Sequence, residues 1–265
     1  MAMAAIDFVG ALDATVRIAA VGVGLTGMEL VADRRAFQPR GPFSVNVVAS
    51  FHRGPAWLLV GPNTVVAVAF LQIAAAAVLV VLGPLYLIGQ LALVAATITS
   101  MALRWRRGLG GDGAEQLTII ILVAATLAFV PKTSPGRAAL AVAFVAAQSS
   151  LAYVTAGVAK LVSPVWRGGT ALPAILATYG HGHAWAAGML RAHPKVGTML
   201  GWGVMLFEAL FPFLLLGPYA LALATAMVGV SFHLACAVLM GLNSFAWSFP
   251  ATYVCLFAVR VYLLV

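Results

Sequence analysis

From Thr64 to Arg104 the chain runs 41 residues (64–104) with no charged side chain before the last one. A helix needs about 20 apolar residues to cross the hydrocarbon core of a bilayer, so this run is roughly two crossings long. Gly83-Pro84 stands near its middle and is a turn signal, which divides the run into two spanning helices. A barrel strand would alternate polar and apolar residues, and this run does not. Backbone groups in hydrocarbon must be paired within their own segment, so the unbroken apolar runs read as α-helices.

The rest of the chain agrees. Of 265 residues, 63% are hydrophobic and 8% are charged, against roughly 25% charged in an ordinary soluble domain. The mean hydropathy is +1.04. So few polar residues cannot cover a soluble globule of this size, which excludes a soluble enzyme, a disordered chain and a secreted disulfide scaffold. The expected class is all-α, a polytopic transmembrane helical bundle of about eight spans plus interfacial or re-entrant helices, in one domain over residues 1–265. No basic stretch with a cleavage site follows the first Met, so no removable signal peptide is expected.

The spans follow from the apolar runs. Ala11 to Ala32 holds Asp13, Arg17 and Glu29 and reads as a polar-faced span or an amphipathic surface helix. Phe43 to Val60, with His52 and Trp57, reads as re-entrant or interfacial. Leu117 to Val130 is short and extends back to Asp112, placing Asp112, Glu115 and Gln116 on a first turn, where carboxylates suit the helix dipole. Ser134-Pro135-Gly136-Arg137 reads as a turn before a span from Ala138 to Val162. Trp166 to Pro194 is too polar to span and reads as a surface or re-entrant segment. Lys195 to Leu216 and Tyr219 to Leu242 are spans separated by Gly217-Pro218. Asn243 to Pro250 is a turn or the polar start of a last span that carries Arg260.

There are 15 Lys and Arg against 7 Asp and Glu, a net charge of +8. No basic stripe with interleaved aromatics occurs, so nucleic acid is not an expected partner. The basic residues gather in the loop with Arg34, Arg35, Arg40 and Arg53, at Arg104 to Arg107, and between Arg167 and Lys195. The positive-inside bias then places these three loops on the cytoplasmic side and both termini outside. A multi-pass protein of the cell membrane is the expected location, with the lipid bilayer as its first partner.

An ionisable side chain at mid-bilayer costs on the order of 2.5–3.5 kcal/mol on insertion scales, so the ones retained there carry information. Lys160 lies in Ala152-Tyr153-Val154-Thr155-Ala156-Gly157-Val158-Ala159-Lys160-Leu161. Its small residues let another helix come close. Two readings fit it: a lysine that desolvation makes a base, and a helix-end lysine that snorkels to the interface. Glu208 either forms a structural ion pair, with Lys160 or Arg260, or carries a proton. His233 either satisfies a neighbouring helix or meets a ligand. Trp166, Trp185 and Trp202 suit the interfacial aromatic belt. His181-Gly182-His183 with His193 lacks the carboxylate or thiolate partners of a metal site, and no metal is expected. Cys236 and Cys255 lie in apolar runs without a C-x-x-C and read as packing residues.

Three segments together carry a family resemblance. They are Ala156-Gly157-Val158-Ala159-Lys160-Leu161 followed by Trp166 and Gly168; Gly111-Asp112-Gly113-Ala114-Glu115-Gln116 opening an apolar helix; and Phe232-His233-Leu234 through Met240-Gly241-Leu242-Asn243 to Phe249. In order and spacing this resembles the HTTM (horizontally transferred transmembrane) domain. That is the membrane portion of the vitamin K-dependent gamma-carboxylase superfamily, which includes bacterial sporulation-delaying protein B-like members. The resemblance implies Lys160 as the base that activates a quinol, with menaquinol or a similar quinol as cofactor, and His233 in the same cavity as a second catalytic residue. It implies Asp112, Gln116, Trp166, Glu208 and Asn243 as cofactor-side residues.

Two departures qualify what it implies. The carboxylases carry a histidine near the start of the helix that here begins with Asp112 to Gln116, and this chain has none there. No counterpart of the large propeptide-holding region occurs before Val265. The expectation is a reduced relative acting on a lipid, a quinol or a peptide substrate, with separate partner membrane subunits. Carboxylase chemistry takes place on the non-cytosolic side, whereas the loop charges place the Lys160 end on the cytoplasmic side. Two other classes stand beside this one. One is a non-catalytic HTTM subunit of a peptide maturation or export complex. The other is a transporter, for which Gly83-Pro84 and Gly217-Pro218 supply broken helices but the halves do not otherwise match.

Overall fold

The computed structural model describes residues 6–50, 60–108, 111–130, 133–180 and 182–264. His52, Arg53, Trp57, Lys132 and His181 lie outside the described residues. Among the described residues twelve α-helices follow in chain order: α1 (Phe8–Ala32), α2 (Val45–Ala49), α3 (Pro62–Leu82), α4 (Leu87–Arg107), α5 (Gly113–Phe129), α6 (Pro135–Val162), α7 (Pro164–Arg167), α8 (Ala171–Ile175), α9 (Ala184–Ala192), α10 (Pro194–Leu215), α11 (Tyr219–Met240) and α12 (Phe245–Leu264). A 3₁₀ turn (Arg34–Phe37) follows α1. No strand occurs among the described residues.

Seven of these helices are long and apolar enough to cross a membrane: α1, α3, α4, α6, α10, α11 and α12, of 20 to 28 residues. α5 is apolar but has 17 residues; at 1.5 Å per residue it is about 25 Å long, short of the ~30 Å hydrocarbon core. The protein is thus an all-α, polytopic membrane bundle. Short helices α7, α8 and α9 replace a span between Trp166 and Pro194, as its polarity requires. α6 begins at Pro135, inside the segment expected to be a turn at Ser134–Arg137, and earlier than the span expected from Ala138. The Ser134 hydroxyl accepts from the Arg137 N–H at 3.3 Å, and proline is tolerated in a first helical turn, where its missing N–H costs nothing. Asn243 sits in the turn before α12, so most of the Asn243–Pro250 segment is the start of the last span.

Residue contacts divide the chain into two units, Met1–Val145 and Ala146–Val265, with the boundary inside α6. In the first unit, α1 lies along α3 as a bundle helix rather than a surface one. The buried Gln72 amide of α3 donates to the Val23 carbonyl of α1 at 2.9 Å. The charged pair on α1 has a defined task. Arg17 Nε donates to Asp13 Oδ2 at 2.7 Å, while its two terminal nitrogens donate to the carbonyls of Val80, Val81 and Leu82 at 2.9–3.0 Å. Those carbonyls end α3 and have no partner within the helix. Gly83 follows with φ +68, and a side chain there would run into the Arg17 guanidinium.

At the other end of this unit, Leu30, Ala36, Phe37, Val65, Ala69 and Leu103 form an apolar cluster. It gathers the end of α1, the start of α3 and the end of α4. Arg106 is 1% exposed there. It donates from Nε to the Val60 carbonyl at 2.8 Å and from Nη2 to the Phe43 carbonyl at 3.0 Å, and it lies over the Phe37 ring. Arg104 and Arg107 both pair with Glu115 on the first turn of α5.

The second unit contains the remainder of α6 and α7 to α12. α11 packs on α10 and α12. Leu176, Ala186, Ala187 and Leu190 form a smaller cluster on α8 and α9. Arg260 of α12 closes α10, donating to the carbonyls of Leu215 and Gly217 at 2.9 and 2.8 Å. It is therefore not the partner of Glu208. Cys255 is buried and Cys236 partly so, both unbridged.

Candidate functional site

Tyr153, Gly157 and Lys160 stand at i, i+4 and i+7 on α6 and so share one helical face. At Gly157 that face meets α10 so closely that a Cβ would overlap the backbone nitrogen and Cα of Ala209. Only glycine permits this approach. It sets Lys160 beside the residue before Ala209, and Lys160 Nζ donates to Glu208 Oε2 at 2.6 Å. The two side chains are 22% and 8% exposed. The ammonium also lies 5.3 Å from the centroid of the Trp166 ring, a cation–π distance. Lys160 thus reaches into the bundle rather than snorkelling. Pro212 stands four residues after Glu208 and has no N–H, so the Glu208 backbone carbonyl lacks its ordinary helical donor.

Two turns back from Lys160 along the same face, Tyr153 is buried at 2% exposure. Its ring stacks on Phe211 at 3.8 Å and meets Phe207 edge-on. Its hydroxyl is 2.6 Å from His233 Nε2 and 2.6 Å from the Tyr253 hydroxyl. His233 is 1% exposed and stacks on Phe249 at 4.3 Å. Below this trio the Ser149 and Thr252 hydroxyls share a hydrogen bond of 2.7 Å. α6, α11 and α12 are therefore joined by a polar chain enclosed in Phe207, Phe211, Phe232, Phe245 and Phe249.

A tyrosine hydroxyl carries one proton for two neighbours. When Tyr153 donates to His233 Nε2, it accepts from Tyr253, and the imidazole proton is on Nδ1. When Nε2 donates, the Tyr153 hydroxyl accepts from it and donates to the Tyr253 hydroxyl, and Nδ1 presents a lone pair. In both arrangements His233 Nδ1 is buried without a hydrogen-bond partner among the described residues. A buried polar atom left unpaired costs roughly 1–3 kcal/mol, and such atoms concentrate where a ligand or a function uses them. Phe207, which meets Tyr153 edge-on, precedes Glu208 on α10, so the ion pair and the tyrosine–histidine chain belong to one neighbourhood of the second unit.

Of the residues selected from sequence, Lys160, Glu208 and Trp166 come together directly, and His233 joins them through Tyr153. Asn243 is exposed in the turn before α12. Asp112 and Gln116 belong to the first unit. There the Asp112 carboxylate caps α5 by accepting from the Glu115 N–H at 2.7 Å, and Gln116 is exposed. His183 caps α9 weakly, through the Ala186 N–H at 3.4 Å. Among the described residues no three His, Cys, Asp or Glu side chains are grouped to hold a metal ion. Tyr153 and Tyr253 were not singled out by sequence reasoning. The available signal was the seven-residue spacing of Tyr153 from Lys160, which fixes a shared face but not the partner on α12. Comparison of the chain with family models, with curated proteins and with solved structures gives no match.

Proposed function

We propose that this multi-pass membrane protein is an HTTM-type enzyme of the cell membrane that handles protons for a quinol, with Lys160 as its base. The observation that carries the reading is the 2.6 Å Lys160–Glu208 pair placed beside a buried His233 with one unpaired ring nitrogen. In a low-dielectric interior two opposite charges lose much of their solvation, and the neutral pair competes with the ionic one. Moving the Nζ proton to Glu208 Oε2 leaves a free amine with a lone pair and a neutral carboxylic acid. Lys160 can then accept a proton at Nζ, and Glu208 can return or export its own.

Menaquinol or a related quinol suits the neighbourhood in kind, since its surroundings are aromatic and His233 Nδ1 is an unmatched polar atom. A bound quinol supplies reducing equivalents and an acidic hydroxyl. His233 would hold one of its oxygens, with Trp166 walling the Lys160 side. Asp112 and Gln116, in the first unit, and Asn243, exposed before α12, take no part in holding the quinol in this proposal. A peptide substrate and partner membrane subunits complete it.

The test uses purified protein in nanodiscs loaded with menaquinone, reading retained quinone by extraction and, after reduction, two-electron oxidation of the quinol by dissolved dioxygen, which takes the electrons while Lys160 takes a proton. Wild type is expected to retain quinone and turn it over. Lys160→Met should keep the quinone and lose turnover by about 10²–10⁴-fold, the usual contribution of a general base. Absence of retained quinone from wild type, together with unchanged host phenotype for Lys160→Met, would refute the proposal.

A second reading rests on Gly157. The close approach at Ala209 and the matched charges beside it also describe a lock between α6 and α10 in a non-catalytic subunit. Under that reading Lys160→Met with Glu208→Leu leaves a partner complex intact through detergent extraction.

A further inference from the structure

The loop after α1 forms a small, open basic pocket, and we infer that it holds the phosphate of an anionic phospholipid headgroup. The cavity is about 330 Å³ and is lined by Arg35, Gln38, Pro39, Arg40 and Gly41. Among the described residues no carboxylate pairs with either guanidinium. Two arginines and an amide are donors matched to phosphate oxygens, and arginine grips them with a planar fork.

The cradle is built before any ligand arrives. The Gln38 N–H donates to the Arg35 carbonyl, the Gly41 N–H to the Gln38 carbonyl, the Phe43 N–H to the Ala36 carbonyl and the Ser44 N–H to the Gly41 carbonyl, at 2.8–3.2 Å. Buried Arg106 pins the loop from beneath, through the Phe43 carbonyl and the Phe37 ring. A site ordered in advance loses little entropy on binding.

Location chooses the lipid over other anions. Arg35 follows the end of the α1 span by three residues, and Phe37 packs with the start of α3 and the end of α4. The cavity therefore sits where spanning helices leave the hydrocarbon, at headgroup depth. The same end carries Arg34, Arg104, Arg106 and Arg107 against Glu29, Asp33, Asp112 and Glu115. With Arg35 and Arg40 counted, it is net positive by two (6 − 4), the sign that anionic leaflets attract. This inference does not depend on the proposed enzymatic role.

Protein reconstituted in phosphatidylcholine mixed with phosphatidylglycerol, then extracted and weighed by native mass spectrometry, reports the lipid retained. Wild type should retain phosphatidylglycerol over phosphatidylcholine. Arg35→Gln with Arg40→Gln should weaken retention by about 25-fold, taking roughly fivefold per basic side chain near an anionic surface. Arg191→Gln, a basic residue elsewhere in the chain, should leave retention unchanged. Both arginines are exposed, so the double variant should melt with wild type. Equal retention by the double variant would overturn the inference. Displacement of the lipid by inorganic phosphate at matched ionic strength would give the site to a soluble anion and overturn it too.

Discussion

Removing one member of the Lys160–Glu208 pair should not cost the same from both sides. Lys160→Met leaves a carboxylate that is only 8% exposed. Breaking a buried pair this way costs roughly 3–5 kcal/mol, and protonation of the stranded acid holds the loss to about 3 kcal/mol. Glu208→Leu leaves an amine that is 22% exposed on a flexible stem near the end of α6. That amine can swing toward the headgroups, so the loss should be about 1–2 kcal/mol. The double variant removes both charges and fills the space with apolar atoms, a change that is often close to neutral. The singles then sum to about 4–5 kcal/mol and the double costs about 1 kcal/mol, a coupling of about 3–4 kcal/mol. Reversible unfolding in mixed micelles with increasing sodium dodecyl sulfate, on wild type and the three variants, measures all four corners. If the singles add to the double within about 0.5 kcal/mol, the pair is not an interacting buried unit and the reasoning fails. A folded double variant without quinol turnover would separate the chemical role of the pair from its structural one.

Two further outcomes follow from the same geometry. Gly157→Val puts a branched side chain against the Ala209 backbone. It should cost about 1–3 kcal/mol in the same unfolding assay, and it should shrink the Lys160–Glu208 coupling by spreading α6 from α10. Arg17→Met strips the end of α3 of three hydrogen bonds and strands Asp13. Because that side chain is 32% exposed, solvent makes good part of the loss, and about 1–2 kcal/mol is expected; thermal melting that Arg17→Lys restores in full would contradict the forked-cap assignment.

The class of protein was legible before any coordinates. Membrane crossing depends on local quantities, the length and polarity of each run and the Gly-Pro breaks between runs, and the chain carries these one segment at a time. The Gly83-Pro84 break, the short α5 and the failure of Trp166–Pro194 to span follow from that alone. So does the retention of Lys160, Glu208 and His233 in apolar surroundings, because the bilayer penalises ionisable groups wherever they fall in sequence.

Partnership depends on which helices touch, and a uniformly apolar helix does not announce its neighbour. Asp13 and Arg17 looked like a polar face and turned out to close a helix 63 to 65 residues away in sequence. Glu208 had two cationic candidates, and packing at Gly157 assigned it Lys160 while Arg260 went to the end of α10. Tyr153 and Tyr253, 100 residues apart, looked like ordinary membrane aromatics. Tertiary packing alone placed both hydroxyls in the hydrogen-bonded chain that ends at His233, because in a membrane interior a polar group has no water to turn to and must find its partner across the bundle.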